Sequence, residues 1–199
     1  MLDWIKNINK EHPEFWKSYL SKFDKKSQRY VALSIDSTGS NPDKDVILTF
    51  GAVAIEQDSI RIGDIFEVVL LQYIYLHDNG LSNEFIIKST QPKLGEREAI
   101  QAFIEYLGNS ILVGHKINLA VDLINTALEK LDCGRLKNEA LDIEIMYQKL
   151  NDISDKSFSI DDLSTHFKLP ISSEKVLTPE EAYTIALLFL KLKSRLGLL

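Results

Sequence analysis

The hydrophobic pattern of the chain changes period near residue 30. Before it, Phe15, Tyr19 and Phe23 recur every four residues, with Trp16 alongside, as on one face of an amphipathic helix. From Tyr30 the pattern is that of strands. Residues 30–35 form a β-type apolar run, and Ser37 to Asp43 is dense in turn formers. Residues 46–56 resume as a strand and 61–71 make a third. Gln57-Asp58-Ser59 joins these two as a hairpin, so the sheet begins antiparallel.

The second half is mostly helical. Ala99, Ile100, Phe103, Ile104 and Leu107 mark one face of a helix over 96–107. Residues 110–113 read as a short buried strand and 117–131 as a helix, with Gly134 as its stop. Residues 140–143 run as a last strand into a helix holding Met146 and Leu150. Ser159-x-x-Asp162 has the spacing of a capping box. Thr178-Pro179-Glu180-Glu181 starts a final helix, with Thr as N-cap and Pro at the first helical position, and it runs to about Arg195. Three meandering strands, then alternating helix and strand, then helices, define an α/β domain with a mixed sheet over 29–199. Residues 1–28 form a helical extension.

Composition narrows the class. The chain has 199 residues, 45% hydrophobic and 26% charged, which excludes a disordered chain, a collagen-like repeat and a disulfide scaffold. Its one cysteine, Cys133, allows no internal disulfide, so a reducing compartment is expected. The N-terminus has no secretory apolar region, and no apolar run approaches the ~20 residues that span a bilayer. A cytoplasmic location and no membrane partner are expected. The net charge of −6 is unlike a protein that coats nucleic acid but compatible with a carboxylate site for cations. Six lysines fall among the aromatics of residues 1–28. Packing onto the main domain is the expected use of that segment, and stacking on single-stranded nucleic acid is the alternative.

Five ordered segments carry a resemblance. Tyr30-Val-Ala-Leu-Ser34-Ile-Asp36-Ser37-Thr38-Gly39, a Pro42-containing turn and Ile47 to Ile55 resemble the first motif of the DnaQ-like 3′–5′ exonucleases of the DEDDh class. This is the family of the proofreading epsilon subunit of bacterial DNA polymerase III. Leu112-Val-Gly-His115 to Ala120, Leu141-Asp142, Phe158 to Pro170 and Glu180 to Leu192 are similar to its later motifs, in order. The resemblance covers about 29–195 and implies a ribonuclease H-like fold with a mixed five-stranded sheet flanked by helices.

In that family two divalent cations clamp the scissile phosphate. Four carboxylates hold them, and a histidine takes a proton from the attacking water. The resemblance places the catalytic positions on Ser34, Asp36, Ala120, Val176 and Glu181. None of the five is the family residue. Ser34 is neutral, Ala120 offers no ligand, and Val176 cannot accept a proton. Asp36 and Glu181 keep a charge on a different reach and are the candidate metal ligands. Ser37, Thr38, Gly39 and His115 are the candidate nucleic-acid contacts. Of possible substitutes, Asp122 lies about 200° round the helix from Ala120. His115 sits before that helix, His166 lies in the helix preceding Val176, and Asp45 reads as a turn-capping acid.

Residues that act as one catalytic unit lose most of their effect together. General-base catalysis alone is worth ~10²–10⁴-fold. The expectation is a homologue with little or no hydrolysis and no resident cofactor, with magnesium or manganese required for any residual activity. Its expected partners are single-stranded 3′ ends or a replication or repair protein. A divergent active exonuclease of DNA or RNA ends and a purely structural assembly module are the alternatives. Oligomeric state and the choice between DNA and RNA are not written in these residues.

Overall fold

The protein is described by a computed structural model, which covers residues 12–71, 91–170 and 178–198. Among the described residues six strands form one mixed sheet. They are β1 (Tyr30–Ser37), β2 (Ile47–Glu56), β3 (Ser59–Leu70), β4 (Lys93–Leu94), β5 (Ile111–Gly114) and β6 (Ala140–Asp142). Among the described residues the α-helices are α1 (Glu14–Ser21), α2 (Glu96–Leu107), α3 (Ile117–Lys130), α4 (Ile143–Asn151), α5 (Ile160–His166) and α6 (Thr178–Arg195). The strand order is β4-β3-β2-β1-β5-β6. β1, β2 and β3 are antiparallel neighbours, and the pairs β1–β5, β5–β6 and β3–β4 are parallel. The sheet therefore has six strands where the sequence suggested five. The added strand, β4, is two residues long, too short to carry a period that a sequence could display.

Alternation along β1 sends Val31 and Leu33 to one face of the sheet and Ala32 to the other. The first face packs against α1, α2 and α3 through Trp16, Phe103, Ile104, Leu123 and Leu128. The second packs against α4, α5 and α6 through Tyr147, Leu163, Ile185 and Phe189. The result is a sheet between two helical layers. The β2–β3 connection is a two-residue turn, because Glu56 pairs directly with Ser59. Gln57 and Asp58 both adopt positive φ, 50° and 56°, which matches the right-handed twist of the flanking strands. The capping box is present as spaced: the Ser159 hydroxyl accepts from the Asp162 N–H, and the Asp162 carboxylate accepts from the Ser159 N–H.

The aromatic segment before β1 is used for packing. Trp16 and Tyr19 are each 1% exposed and stack on one another with centroids 4.6 Å apart. Phe15 and Phe23 pack against the same core. The Tyr19 hydroxyl donates to Asn138 and accepts from the Lys137 N–H, which ties α1 to the segment entering β6. Burial raises the Tyr19 pKa to about 12, against the hydrogen bonds at Lys137 and Asn138. With their rings enclosed, Trp16 and Tyr19 offer no free face for a base, so the stacking alternative is closed for these two. Trp4, in the same segment, lies outside the described residues. Replacing a large buried aromatic leaves a cavity. Trp16→Ala should lower unfolding free energy by about 3–5 kcal/mol in urea titrations while leaving the sheet intact by circular dichroism.

Candidate functional site

Two of the positions that the resemblance marks, Ser34 and Glu181, meet where β1 ends and α6 begins. One row of residues crosses three strands. Ser34 on β1 pairs with Gly51 on β2, and Gly51 pairs with Glu67 on β3. Gly51 lies in a strand interior because helix α6 sits on it: a Cβ at this position would overlap the backbone of Thr178 and Pro179. That close approach sets the first turn of α6 over the row. The Ser34 hydroxyl donates to Glu181 at 2.7 Å. On the other side of the row, Glu180 acts on Glu67 through its charge.

Asp36 is two residues beyond Ser34 and so shares its face. It accepts from the Thr49 hydroxyl, its cross-strand partner, at 3.2 Å. Ala120 lies on α3, nearly buried and without a ligand atom. Val176 lies outside the described residues. Glu67 also accepts from the Gln91 amide. Burial first, and the Glu180 charge second, raise its pKa above the usual glutamate range.

The candidate contacts in the turn after β1 are mostly engaged with each other. The Ser37 hydroxyl donates to the Gly39 carbonyl at 2.6 Å. The Thr38 hydroxyl donates to Asp45 and accepts from the Val46 N–H. Asp45 also accepts from the Asn41 N–H, and these two bonds hold its pKa below the usual range. Asp45 is thus a turn-capping acid, and Gly39 leaves room for its carboxylate.

Neither candidate imidazole has a hydrogen-bond partner in the Ser34 row. His115 Nε2 lies 2.7 Å from the Phe158 carbonyl and so carries its proton there, 3.6 Å from Glu144. Glu144 accepts from the Ser157 hydroxyl and the Phe158 N–H. Burial opposes its charge, but those bonds and the neighbouring His115 and Lys116 outweigh it and its pKa is lowered. His166 Nδ1 is 3.2 Å from the Tyr147 hydroxyl, with its ring against Phe167. Asp122 pairs with Arg135 at 3.2 Å near the surface. Asp142 accepts from the Ile117 N–H and the Glu144 N–H, joining the N-termini of α3 and α4.

Hard divalent cations require several oxygen ligands, at least some of them charged. Here Ser34, a neutral donor, spends its proton on Glu181. Among the described residues no three His, Cys, Asp or Glu side chains gather as a metal-holding group. This donor set does not fit a two-cation clamp. The residue types alone missed Gly51, Glu67, Thr49 and Glu180. A glycine inside a strand is a readable sign of close backbone approach, so Gly51 was within reach. Glu67 was not, because its role depends on strand register.

The fold is that of an RNase H-like exonuclease. The chain is similar to exonuclease I in its apo form, with a TM-score of 0.67 and 11% identity over 87% of this chain and 43% of that one. It is similar also to a zinc-bound E. coli exonuclease I–single-stranded DNA complex, with a TM-score of 0.67 and 10% identity over 86% and 42%. In sequence it is 29% identical over 128 residues to the PolC-type DNA polymerase III of Ureaplasma parvum serovar 3. That match takes in 61% of this chain and 8% of the polymerase. The chain therefore spans less than half of the exonuclease I chains and a small part of the polymerase. No family model matches it. The chain thus shares the fold of exonuclease I and is similar in sequence to part of a PolC-type DNA polymerase III.

Two outcomes follow from the row. Gly51→Ala forces α6 off β2 and separates Glu181 from Ser34, and should cost at least about 1–3 kcal/mol in chemical denaturation. For Glu67, a raised pKa means that the folded state holds the proton more tightly than the unfolded chain. Its contribution is favourable at low pH and is lost as pH rises from the ordinary glutamate pKa to the raised one. Glu67→Gln should therefore melt higher than the parent at pH 7, with the gap closing below about pH 4. Calorimetry at the two pH values reads the difference.

Proposed function

We propose that the chain is a DnaQ-like exonuclease homologue that holds a nucleic-acid 3′ end or a replication or repair protein and hydrolyses little or nothing. The observation that carries this is the Ser34–Glu181 hydrogen bond of 2.7 Å at the positions where the family places two metal-binding acids. A hydroxyl proton neutralises part of the Glu181 charge in place of a cation. Asp36 is held by Thr49; among the described imidazoles His115 is held by Phe158 and Glu144, His166 by Tyr147 and His12 by the Asp132 carbonyl. No described histidine is therefore set beside Asp36 and Glu181 to take a proton from water. The chemistry left at the row is binding and orientation. Its lone pairs can accept from hydroxyl or amide donors, while its acids repel phosphates that arrive without counterions. The single-stranded DNA complex of a structural neighbour supports a strand as one class of ligand for the fold. No described helix is long and apolar enough to cross a membrane.

The deciding assay offers single-stranded DNA and RNA with magnesium or manganese and follows 3′-terminal release. Release should stay at the level of the Asp36→Ala variant. Release that Asp36→Ala abolishes would establish the active alternative. In parallel, either metal should shift the melting temperature by less than about 1 °C, since a ligand stabilises only by binding the folded form. A rise of several degrees would show a working cation site.

A further inference from the structure

The other end of β1 carries a feature that the exonuclease reading does not use. A cavity of about 880 Å³ opens between the segment entering β1, the β2–β3 hairpin and the last turns of α6. Tyr30 lines it, four residues before Ser34. A strand rise of about 3.3 Å per residue places it roughly 13 Å from the Ser34 row. Its charged lining is Lys26, Arg29, Arg61 and Lys193 against Glu56 and Asp58. Four cations thus face two acids on a chain whose net charge is −6.

Two of the four cations sit deeper than either acid. The Lys193 and Arg29 side chains are 12% and 19% exposed, whereas those of Asp58 and Glu56 are 69% and 43% exposed. Arg29 is fixed independently of Glu56: it donates to the Tyr106 carbonyl, the Ser110 hydroxyl and Asp64, and stacks over the Tyr106 ring. Glu56 is only its distant partner, at 3.9 Å. Lys193 lies over the Tyr30 ring, 5.2 Å from its centroid, and meets Asp58 at 2.5 Å. Asp58 projects from the tip of a two-residue turn. Lys193 and Arg29 are therefore built into the floor, and the acids reach over them from the rim, where Arg61 and Lys26 also lie. Ion pairs with such exposed partners are weak and easily exchanged.

We infer that this cavity is a phosphate-binding site in which Asp58 and Glu56 are the chain's own stand-ins for the ligand. A terminal phosphate carries close to two negative charges at neutral pH, the same as the two carboxylates it displaces. It accepts from Lys193 as a point charge and from arginine in a forked geometry. Arg61, paired with Glu56 at 3.4 Å, is freed when Glu56 swings out. Lys26 adds charge at the mouth. The volume suits a small molecule, so a nucleoside monophosphate fits as well as free phosphate.

Calorimetric titration of the full chain with inorganic phosphate, a nucleoside 5′-monophosphate and an oligonucleotide lacking a terminal phosphate tests this. The first two should bind, more weakly as salt rises. Equal affinity assigns recognition to the phosphate alone, and tighter nucleotide binding that is lost in Tyr30→Leu adds the base. The distinctive sign is that Asp58→Asn removes a competitor and should tighten phosphate binding about two- to fivefold. Lys193→Met and Arg61→Gln should weaken it, and the exposed Arg61 position guards against loss of fold. Three results would overturn the site: no phosphate binding by the parent and by Asp58→Asn, affinity indifferent to Asp58→Asn, or equal binding of the phosphate-free oligonucleotide. Since Ser34, Asp36 and Glu181 are untouched, the outcome is independent of the nuclease assay.

Discussion

The backbone of α6 lies directly on Gly51. A helix and a sheet normally keep a side-chain layer between them, and here one missing Cβ removes it. Everything at the candidate site hangs on that approach. It places Glu181 within hydrogen-bond reach of Ser34 and sets the adjacent Glu180 against Glu67. The same helix then runs the length of β1, burying Ile185, Phe189 and Leu192, and brings Lys193 to Tyr30. One contact therefore sets the geometry of both ends of the sheet.

The two ends differ in electrostatic character. At the Ser34 row acids outnumber donors, and they are satisfied by hydroxyls and an amide: Ser34 for Glu181, Thr49 for Asp36 and Gln91 for Glu67. Neutral donors of this kind stabilise a carboxylate without fixing a cation. They make the Ser34–Glu181 pair a fastening of α6. At the hairpin end Lys193 and Arg29 lie deep and the acids Asp58 and Glu56 shallow. Net charge, which sums over the whole surface, hides this separation. A chain of −6 can still present a positive floor.

The elements were largely legible before any coordinates. The helix over 96–107, the strands around 47–56 and 111–114, the capping box at Ser159 and the long helix to Arg195 each rest on a local signal: a period, a cap or a turn residue. β4 was not legible, because a two-residue strand exists only through its pairing with Val69 and Leu70. The aromatics of the first segment showed helical spacing, but the spacing was equally compatible with a packing face and a stacking face. Only the enclosure of Trp16 and Tyr19 separated the two.

The site divides in the same way. Which residue types stand at the positions that the resemblance marks is a property of the sequence: Ser34, Asp36, Ala120 and Glu181 could be named from motif order alone. What those side chains do to one another was decided by tertiary structure. Ser34 and Glu181 are 147 residues apart, and a hydrogen bond between them needs the strand register and the seat of α6 together. The engagement of His115 by Phe158 and Glu144, the pressure of Glu180 on Glu67 and the depth ordering of Lys193 and Asp58 are likewise facts of distance and burial. Local patterns encode elements because the interactions behind them span a few residues. The balance of charge at a site is a sum over elements brought together by packing, and it becomes definite only when they meet.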